Sequence, residues 1–354
     1  MKPPSIPDIA RALGISIGTV DRALHGRPGI SPATQARVLK KAEELGYRPN
    51  IAARSLKLNR RIRIAAYFPA EIASFYDPLR AGVSAAAASP VGVSLDVVFR
   101  TFRRLDLGDV ELIAADAHER LDGVLLAPGN PRHIAPAIRA FAQRGLPVVC
   151  VSSDAPRSER MASVAVDALT SGAIAAELFA RVIQKPGSLA TITGELTTLD
   201  HAEKLRGFAA NLALLAPHLS LLPAMESHEQ PKLAYEQALS LLAHRPRPLG
   251  IYVSTANSLP VLKALEEKKL FGQIQVITTD LFPDLIPYIE SGRILATLHQ
   301  RPFAQGKLAL DVLLNFLVNG IKPNPLIRLA PHIVLRSNLS LFMGETDTPG
   351  DFLG

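Results

Sequence analysis

The chain has one cysteine, Cys150, in 354 residues, and no tryptophan. A single thiol excludes a disulfide framework and any metal cluster held by several thiolates. No apolar run reaches the roughly 18 residues that a bilayer-spanning helix needs. Pro3, Pro4 and Asp8 interrupt the apolar core of any export signal near Met1. A soluble, cytoplasmic chain with no membrane partner is expected. Enzyme signatures are missing as well. There is no Gly-x-Gly-x-x-Gly, no phosphate loop ending in Gly-Lys-Ser/Thr, no His-Glu-x-x-His and no Gly-x-Ser-x-Gly. His201 is the one tempting catalytic histidine, and no nucleophile stands out beside it. Neither an enzymatic activity nor a cofactor or metal is expected.

What is present reads as globular. Hydrophobic residues make up 48% and charged residues 20%, ample for burial and against wholesale disorder. The length exceeds one ordinary core and predicts two or three domains. Charge is unevenly placed. Residues 1–63 hold 13 Lys and Arg against four acids, a net charge of +9; the remainder carries 26 against 28, or −2. A small basic module on a near-neutral body points to a polyanion partner for the module alone.

Within that module, Ile6, Ile9, Ala10 and Leu13 share one face of a short helix that Gly14 stops. Ser16 caps a second helix from Ile17 to about His25, with Val20, Ala23 and Leu24 inward. Two short helices joined across Gly14-Ile15-Ser16 have helix-turn-helix spacing. Ser31-Pro32 opens a third helix with Val38, Ala42 and Leu45 on its apolar stripe, and Gly46 ends it. The second helix turns Ile17, Gly18, Asp21 and Arg22 outward, toward base edges in a major groove. Arg22 is the side chain able to form a bidentate contact to guanine. Residues 50–57, Asn50 to Lys57, are expected to form a helix of about two turns only when something supports it, since it is too short to be stable alone; the alternative is that 50–63 is an ordinary basic linker. Leu56, apolar among Arg54, Lys57, Arg60 and Arg61, is placed to wedge into a minor groove.

Residues 5–57 resemble the headpiece of the lactose-repressor (LacI/GalR) family of bacterial transcription regulators. The carriers are Ile6-Pro7-Asp8-Ile9-Ala10, Gly14-Ile15-Ser16, Gly18-Thr19-Val20-Asp21-Arg22-Ala23-Leu24, residues 31–38 (SPATQARV) and Leu45-Gly46-Tyr47-Arg48-Pro49-Asn50. The resemblance implies that Ser16, Ile17, Gly18, Thr19 and Arg22 meet the operator. It implies further contacts from Asn50, Ala53, Arg54, Leu56 and Lys57, with Leu56 as the minor-groove lever. Asp21 stands where many members carry a serine.

The body alternates strand and helix. Strands are predicted at 62–68, 94–99, 122–127, 146–151, 188–193, 249–254 and 274–279. Helices are predicted at 77–88, 131–144, 170–184, 200–214, 231–244 and 257–268. Buried apolar strands separated by helices signal parallel sheets covered on both faces. The fold class expected is an α/β body of two doubly wound parallel-sheet lobes behind an all-α headpiece. Ligands in such sheets bind beyond the strands' C-terminal ends. The polar groups gathered there include Phe75 and Tyr76, Asp154, His201 and Lys204, Asn257, Asp280 and Gln300. Their donors, acceptors and rings suit a sugar or polyol. Pro283 and Pro302 start the following helices later, so Asp280 and Gln300 are not simply helix caps. His201 with Lys204 also leaves open a ligand bearing a carboxylate or phosphate.

Over roughly residues 62–342 the body resembles the type I periplasmic-binding-protein fold that the same family uses for effectors. Leu79-Arg80-Ala81-Gly82-Val83, Ser153-Asp154-Ala155-Pro156, Glu203-Lys204-Leu205-Arg206-Gly207-Phe208, Thr279-Asp280 and Gln300-Arg301-Pro302 carry the likeness. It implies that Tyr76, Asp154, Lys204, Asn257, Asp280 and Gln300 line the cleft. Lys204 stands where many members place an arginine, so a flat bidentate grip is replaced by one ammonium. The expected domains are a headpiece over 1–49, a hinge over 50–61, a body over 62–342 and a tail over 343–354. Within the body, an N-lobe over about 62–163 and 295–325 faces a C-lobe over about 164–294 and 326–342. The expected partners are double-stranded operator DNA, a sugar-like effector and a second copy of the chain. Effector binding that moves the lobes beside the hinges would melt the 50–57 helices and release the minor groove. A secreted sugar-binding protein, a sugar-modifying enzyme and a regulator controlled by a partner protein are the rival readings.

Overall fold

The computed structural model describes residues 6–24, 29–45, 61–88, 94–103, 108–116 and 119–342. The expected tail and residues 50–60 of the expected hinge lie outside the described residues; the hinge's last residue, Arg61, opens the first strand of the body. The headpiece holds three helices, α1 (Ile6–Leu13), α2 (Ile17–Leu24) and α3 (Pro32–Glu44). Ile9, Ala10, Val20, Ala23, Val38 and Ala42 form their shared core. Sequence explains the ends. Gly14 takes φ +65 at the C-terminus of α1, a conformation glycine adopts without penalty. Ser16 Oγ accepts the Thr19 amide at 3.1 Å, and Ser31 Oγ accepts that of Thr34 at 3.2 Å. Each bond satisfies an orphan donor in a first helical turn.

The body begins with β1 (Arg61–Pro69), α4 (Ala73–Ala88), β2 (Ser94–Phe102), α5 (Gly108–Ala115), β3 (Gly123–Leu126), α6 (Pro131–Gln143), β4 (Val148–Val151) and β5 (Ala162–Val166). It continues with α7 (Ala168–Val182), β6 (Gly187–Thr193), α8 (Leu199–Leu215), β7 (Leu219–Leu221), β8 (Met225–Glu226), α9 (Pro231–Ala243), β9 (Gly250–Val253) and α10 (Leu259–Glu267). Then come β10 (Gln275–Thr279), α11 (Ile286–Glu290), β11 (Ala296–His299), α12 (Pro302–Asn319), β12 (Leu326–Leu329) and β13 (His332–Val334). All seven predicted strands and all six predicted helices form. The largest boundary difference is at α4, which starts four residues early.

Two sheets result. One has the order β12-β5-β4-β3-β1-β2; the other runs β13-β11-β10-β9-β6-β7, with β8 also on β6. Each is doubly wound, and its strand order reverses beside β1 or β6. Those reversals open crevices at the C-terminal strand ends. The strands β3, β4, β5 and β9 are buried along their full length, as parallel strands covered on both faces must be.

The expected lobe division needs correction. β11 lies parallel to β10, with Ala296 opposite Ile277, so residues 296–299 belong to the second sheet and not the first. β12 lies parallel to β5, with Ile327 opposite Val164, so residues 326–329 belong to the first sheet and not the second. The chain therefore crosses between lobes after β5, after β11 and after β12. Close helix packing holds α12 on the first lobe. A Cβ on Gly82 of α4 would stand 2.0 Å from the Phe303 carbonyl oxygen, and one on Gly306 2.1 Å from that of Leu79.

Candidate functional site

The headpiece presents α2 outward. Ile17, Gly18 and Arg22 are exposed, with Ile17 at 56%, a large apolar side chain left uncovered at a helix N-terminus. Ser16 and Thr19 are tied to each other by a 2.8 Å hydroxyl contact in the same turn. Asp21 is half-buried. Asn50, Ala53, Arg54, Leu56 and Lys57 lie outside the described residues.

In the body, one pocket collects side chains from the C-terminal ends of both sheets. Ile72, Phe75 and Tyr76 follow β1, and Ser152 follows β4. Asp200, His201 and Lys204 stand on the first turns of α8, and Glu229 follows β8. Thr255 and Ala256 follow β9, Asp280 follows β10 and Gln300 follows β11. Phe75 and Tyr76 meet edge to face at 5.0 Å. The free space within it is about 20 Å³, room for about one water. Four lining residues, Ile72, Ser152, Glu229 and Asp280, hold φ between 56 and 68. A β-branched residue such as Ile72 rarely adopts that conformation, and such strain concentrates at functional sites.

The polar groups are tightly cross-paired. The Glu195 amide donates to His201 Nδ1 at 2.8 Å, so in the neutral ring Nε2 carries the proton. Nε2 lies 3.4 Å from Asp200 Oδ2 and 3.4 Å from Glu229 Oε1. Glu229 Oε2 accepts the Thr255 hydroxyl at 2.6 Å. Lys204 is almost wholly buried; its Nζ lies 3.4 Å from the Ser254 carbonyl and 3.5 Å from Asp200 Oδ2. Asp280 accepts the Gln300 amide on Oδ1 at 2.9 Å and the Gln300 side-chain amide on Oδ2 at 2.7 Å. Burial pushes the Asp280 carboxyl up to about 6, against the opposing pull of Lys204 and Gln300. Behind it, burial first, then His332 and Arg301, push His299 down to about 4. Carboxylates thus outnumber the fixed cation in the lining three to one. Hydroxyl donors fit such a surface, and a further anion does not.

Phe75, Tyr76, His201, Lys204, Asp280 and Gln300 are brought together around this pocket. Asp154 and Asn257 are not among its lining residues. Asp154 accepts from Nε and Nη2 of Arg160 and faces Arg328 at 3.5 Å, an internal ion pair of the first lobe. The Asn257 amide donates to Thr255 Oγ1 at 3.3 Å, beside the pocket. Glu229 and Thr255 escaped the sequence reading. The only local signal for Glu229 is the polar run His228-Glu229-Gln230 ahead of Pro231. Among the described residues, no group of three or more His, Cys, Asp or Glu is disposed to hold a metal ion. No helix among them is long and apolar enough to cross a membrane.

Comparison with known proteins agrees with this architecture. Residues 66–321 match the model of the periplasmic binding protein domain, and residues 5–50 match that of bacterial regulatory proteins, lacI family. Catabolite control protein A of Priestia megaterium is 24% identical over 75% of this chain and 78% of its own. The ribose operon repressor of Escherichia coli K12 is 26% identical over 94% of this chain and 99% of its own. A solute-binding protein of Burkholderia graminis, solved in complex with D-arabinose, superposes with a TM-score of 0.72 at 23% identity, over 79% of this chain and 96% of its own. That likeness extends the two-lobed fold to the sugar-binding proteins. With a helix-turn-helix headpiece ahead of a periplasmic-binding-protein body, the chain belongs to the lacI family of bacterial regulatory proteins.

Proposed function

We propose that the chain is an effector-controlled repressor whose central pocket takes a neutral sugar or polyol. Two copies bind a palindromic operator, each laying α2 in a major groove with Ser16, Ile17, Gly18, Thr19 and Arg22 against it. The segment over 50–57 adds minor-groove contacts through Leu56. The chain acts in the cytoplasm, where its DNA lies, and turns over no substrate. The expected headpiece, hinge and body divide these tasks.

The charge pairing of the pocket carries the reading of the ligand. His201 and Lys204 face carboxylates of Asp200 and Glu229, so neither is left to neutralise an anionic effector. The aromatic pair Phe75 and Tyr76 suits a sugar face. A repressor of a ribose operon among the relatives, and D-arabinose in a solved neighbour, point to the same ligand class. Sugar-sized pockets run to roughly 300–1,000 Å³, far above the present 20 Å³. Binding therefore has to widen the space between the lobes. That differential fit is what lets a ligand bias a conformational equilibrium.

The test is operator binding by the full chain, followed by fluorescence anisotropy on a duplex selected from a random pool. Neutral pentoses and hexoses are added one at a time. One of them is expected to change operator affinity roughly 5–150-fold, the range of a 1–3 kcal/mol coupling. No response to any neutral sugar overturns the reading and favours control by a partner protein.

A further inference from the structure

A second, larger recess opens beside the pocket, and nothing in the family match assigns it. It measures about 780 Å³ and is lined by Asn130, Pro131, Arg132, Ala135, Arg139, Pro156, Arg157, Leu196, Thr197 and Leu199. Three of these are arginines of the first lobe, and no acidic side chain is in the lining. Among the described residues no carboxylate pairs with Arg132, Arg139 or Arg157. The opposite wall comes from the second lobe, where Leu199 precedes Asp200 of the central pocket.

Arg139 is held through its side chain and Arg157 is placed through its backbone. Arg157 takes φ +64 at the tip of a short loop. That loop is closed at its base by the Asp154–Arg160 pair and by Ser158 Oγ, which donates to the Ala155 carbonyl at 2.5 Å. The Arg157 carbonyl accepts Arg139 Nη1 at 3.3 Å, orienting that guanidinium without neutralising it. The first residues of α6 and α8 also line the recess, with Asn130 Oδ1 capping α6 through the Arg132 amide at 2.9 Å. The positive ends of both helices add to the field there.

The geometry points to an anion site at the cleft mouth, in which Arg132, Arg139 and Arg157 hold a phosphate-class group. Three guanidiniums presenting forked donors suit a phosphate's oxygens better than a hydroxyl. The inference deepens the sugar reading: the effector is then a phosphorylated sugar, its neutral end inside and its charge at the rim. A phosphate-bearing ligand that spans both lobes would also favour one lobe arrangement over others.

The probe is inorganic phosphate with the full chain, at constant ionic strength set with chloride, read by 31P line broadening. It is run on the parent and on the triple variant Arg132→Gln, Arg139→Gln, Arg157→Gln. The basic headpiece binds phosphate as well, so the quantity of interest is the saturable part that the triple variant removes. Calorimetry on glucose and glucose 6-phosphate, and on ribose and ribose 5-phosphate, forms the second arm. The phosphorylated member of at least one pair is expected to bind roughly tenfold or more tightly than its neutral parent, as one or two charge-assisted hydrogen bonds imply. The triple variant is expected to lose that advantage while keeping the neutral sugar's affinity and the parent's thermal midpoint. Phosphate binding unaltered in the triple variant overturns the site. A phosphate-sensitive recess in a chain that ignores every neutral sugar keeps the site and overturns the reading of the central pocket. Loss of folding in the triple variant is resolved by Arg157→Gln alone, whose exposed side chain is free to change. Unaltered phosphate binding in that single variant then counts against the site.

Discussion

Burial pushes the carboxyl of Asp280 up to about 6, from 3.8 for a free aspartate. The folded chain therefore keeps a proton that the unfolded chain has already lost. Stability falls as pH rises from about 4 to 6, and above 6 the folded state carries the full cost, about 3 kcal/mol. Asp280→Asn removes that charge and still offers Gln300 an acceptor, with the Gln300 amide turned to accept in return. It is expected to raise stability at pH 8 by about 1–3 kcal/mol, a gain that shrinks by about half at pH 5, and to abolish the effector response. Urea unfolding at the two pH values checks the first part, and equal gains at both would remove the buried charge as the cause. The placement of Asp280, Lys204 and Gln300 was legible because each follows an apolar strand at its C-terminal end. Glu229 was not, since β8 before it is two residues long and has no apolar run. Asp154 also follows a strand, but Arg160, six residues on in an irregular loop, and Arg328 on β12 take up its carboxylate, and no local apolar pattern signals either pairing.

At the scale of elements, α7 and α8 touch backbone to backbone. A Cβ on Gly172 would stand 1.9 Å from the Lys204 carbonyl oxygen, and one on Gly207 2.2 Å from that of Leu169. The glycines thus set the depth at which α8 delivers Asp200, His201 and Lys204 to the pocket. Gly172→Ala is expected to cost about 1–3 kcal/mol, as overpacking does, and to weaken the effector response. Operator affinity without effector should hold, because the headpiece has its own core. Thermal unfolding and effector titration check both parts, with Gly207→Ala as a second variant. A stability loss with an unaltered effector response would separate the helix packing from the site. Most strands and helices were legible from apolar runs and their punctuation. The lobe assignment of β11 and β12 was not, because which sheet a strand joins is decided by partners over a hundred residues away for β12 and by a crossover for β11.

For the molecule as a whole, charge separates the two binding events. The first 63 residues carry +9 and the rest −2. Binding to DNA releases counterions in proportion to the phosphates neutralised. A neutral sugar in a pocket whose charges are already cross-paired releases none. Two headpieces on one operator that together neutralise six or more phosphates should lose roughly 10³-fold or more in operator affinity between 50 and 200 mM salt. Over the same interval the affinity for a neutral sugar should stay nearly constant. Anisotropy for the operator and calorimetry for the sugar measure both on the same preparation. A phosphorylated sugar would fall between them, since three arginines respond to salt less steeply than two basic headpieces. An operator affinity that is flat in salt would mean that the basic headpiece is not the surface that meets DNA. A neutral-sugar affinity that falls as steeply as the operator's would mean that the pocket's carboxylates and cations are not paired as the distances imply.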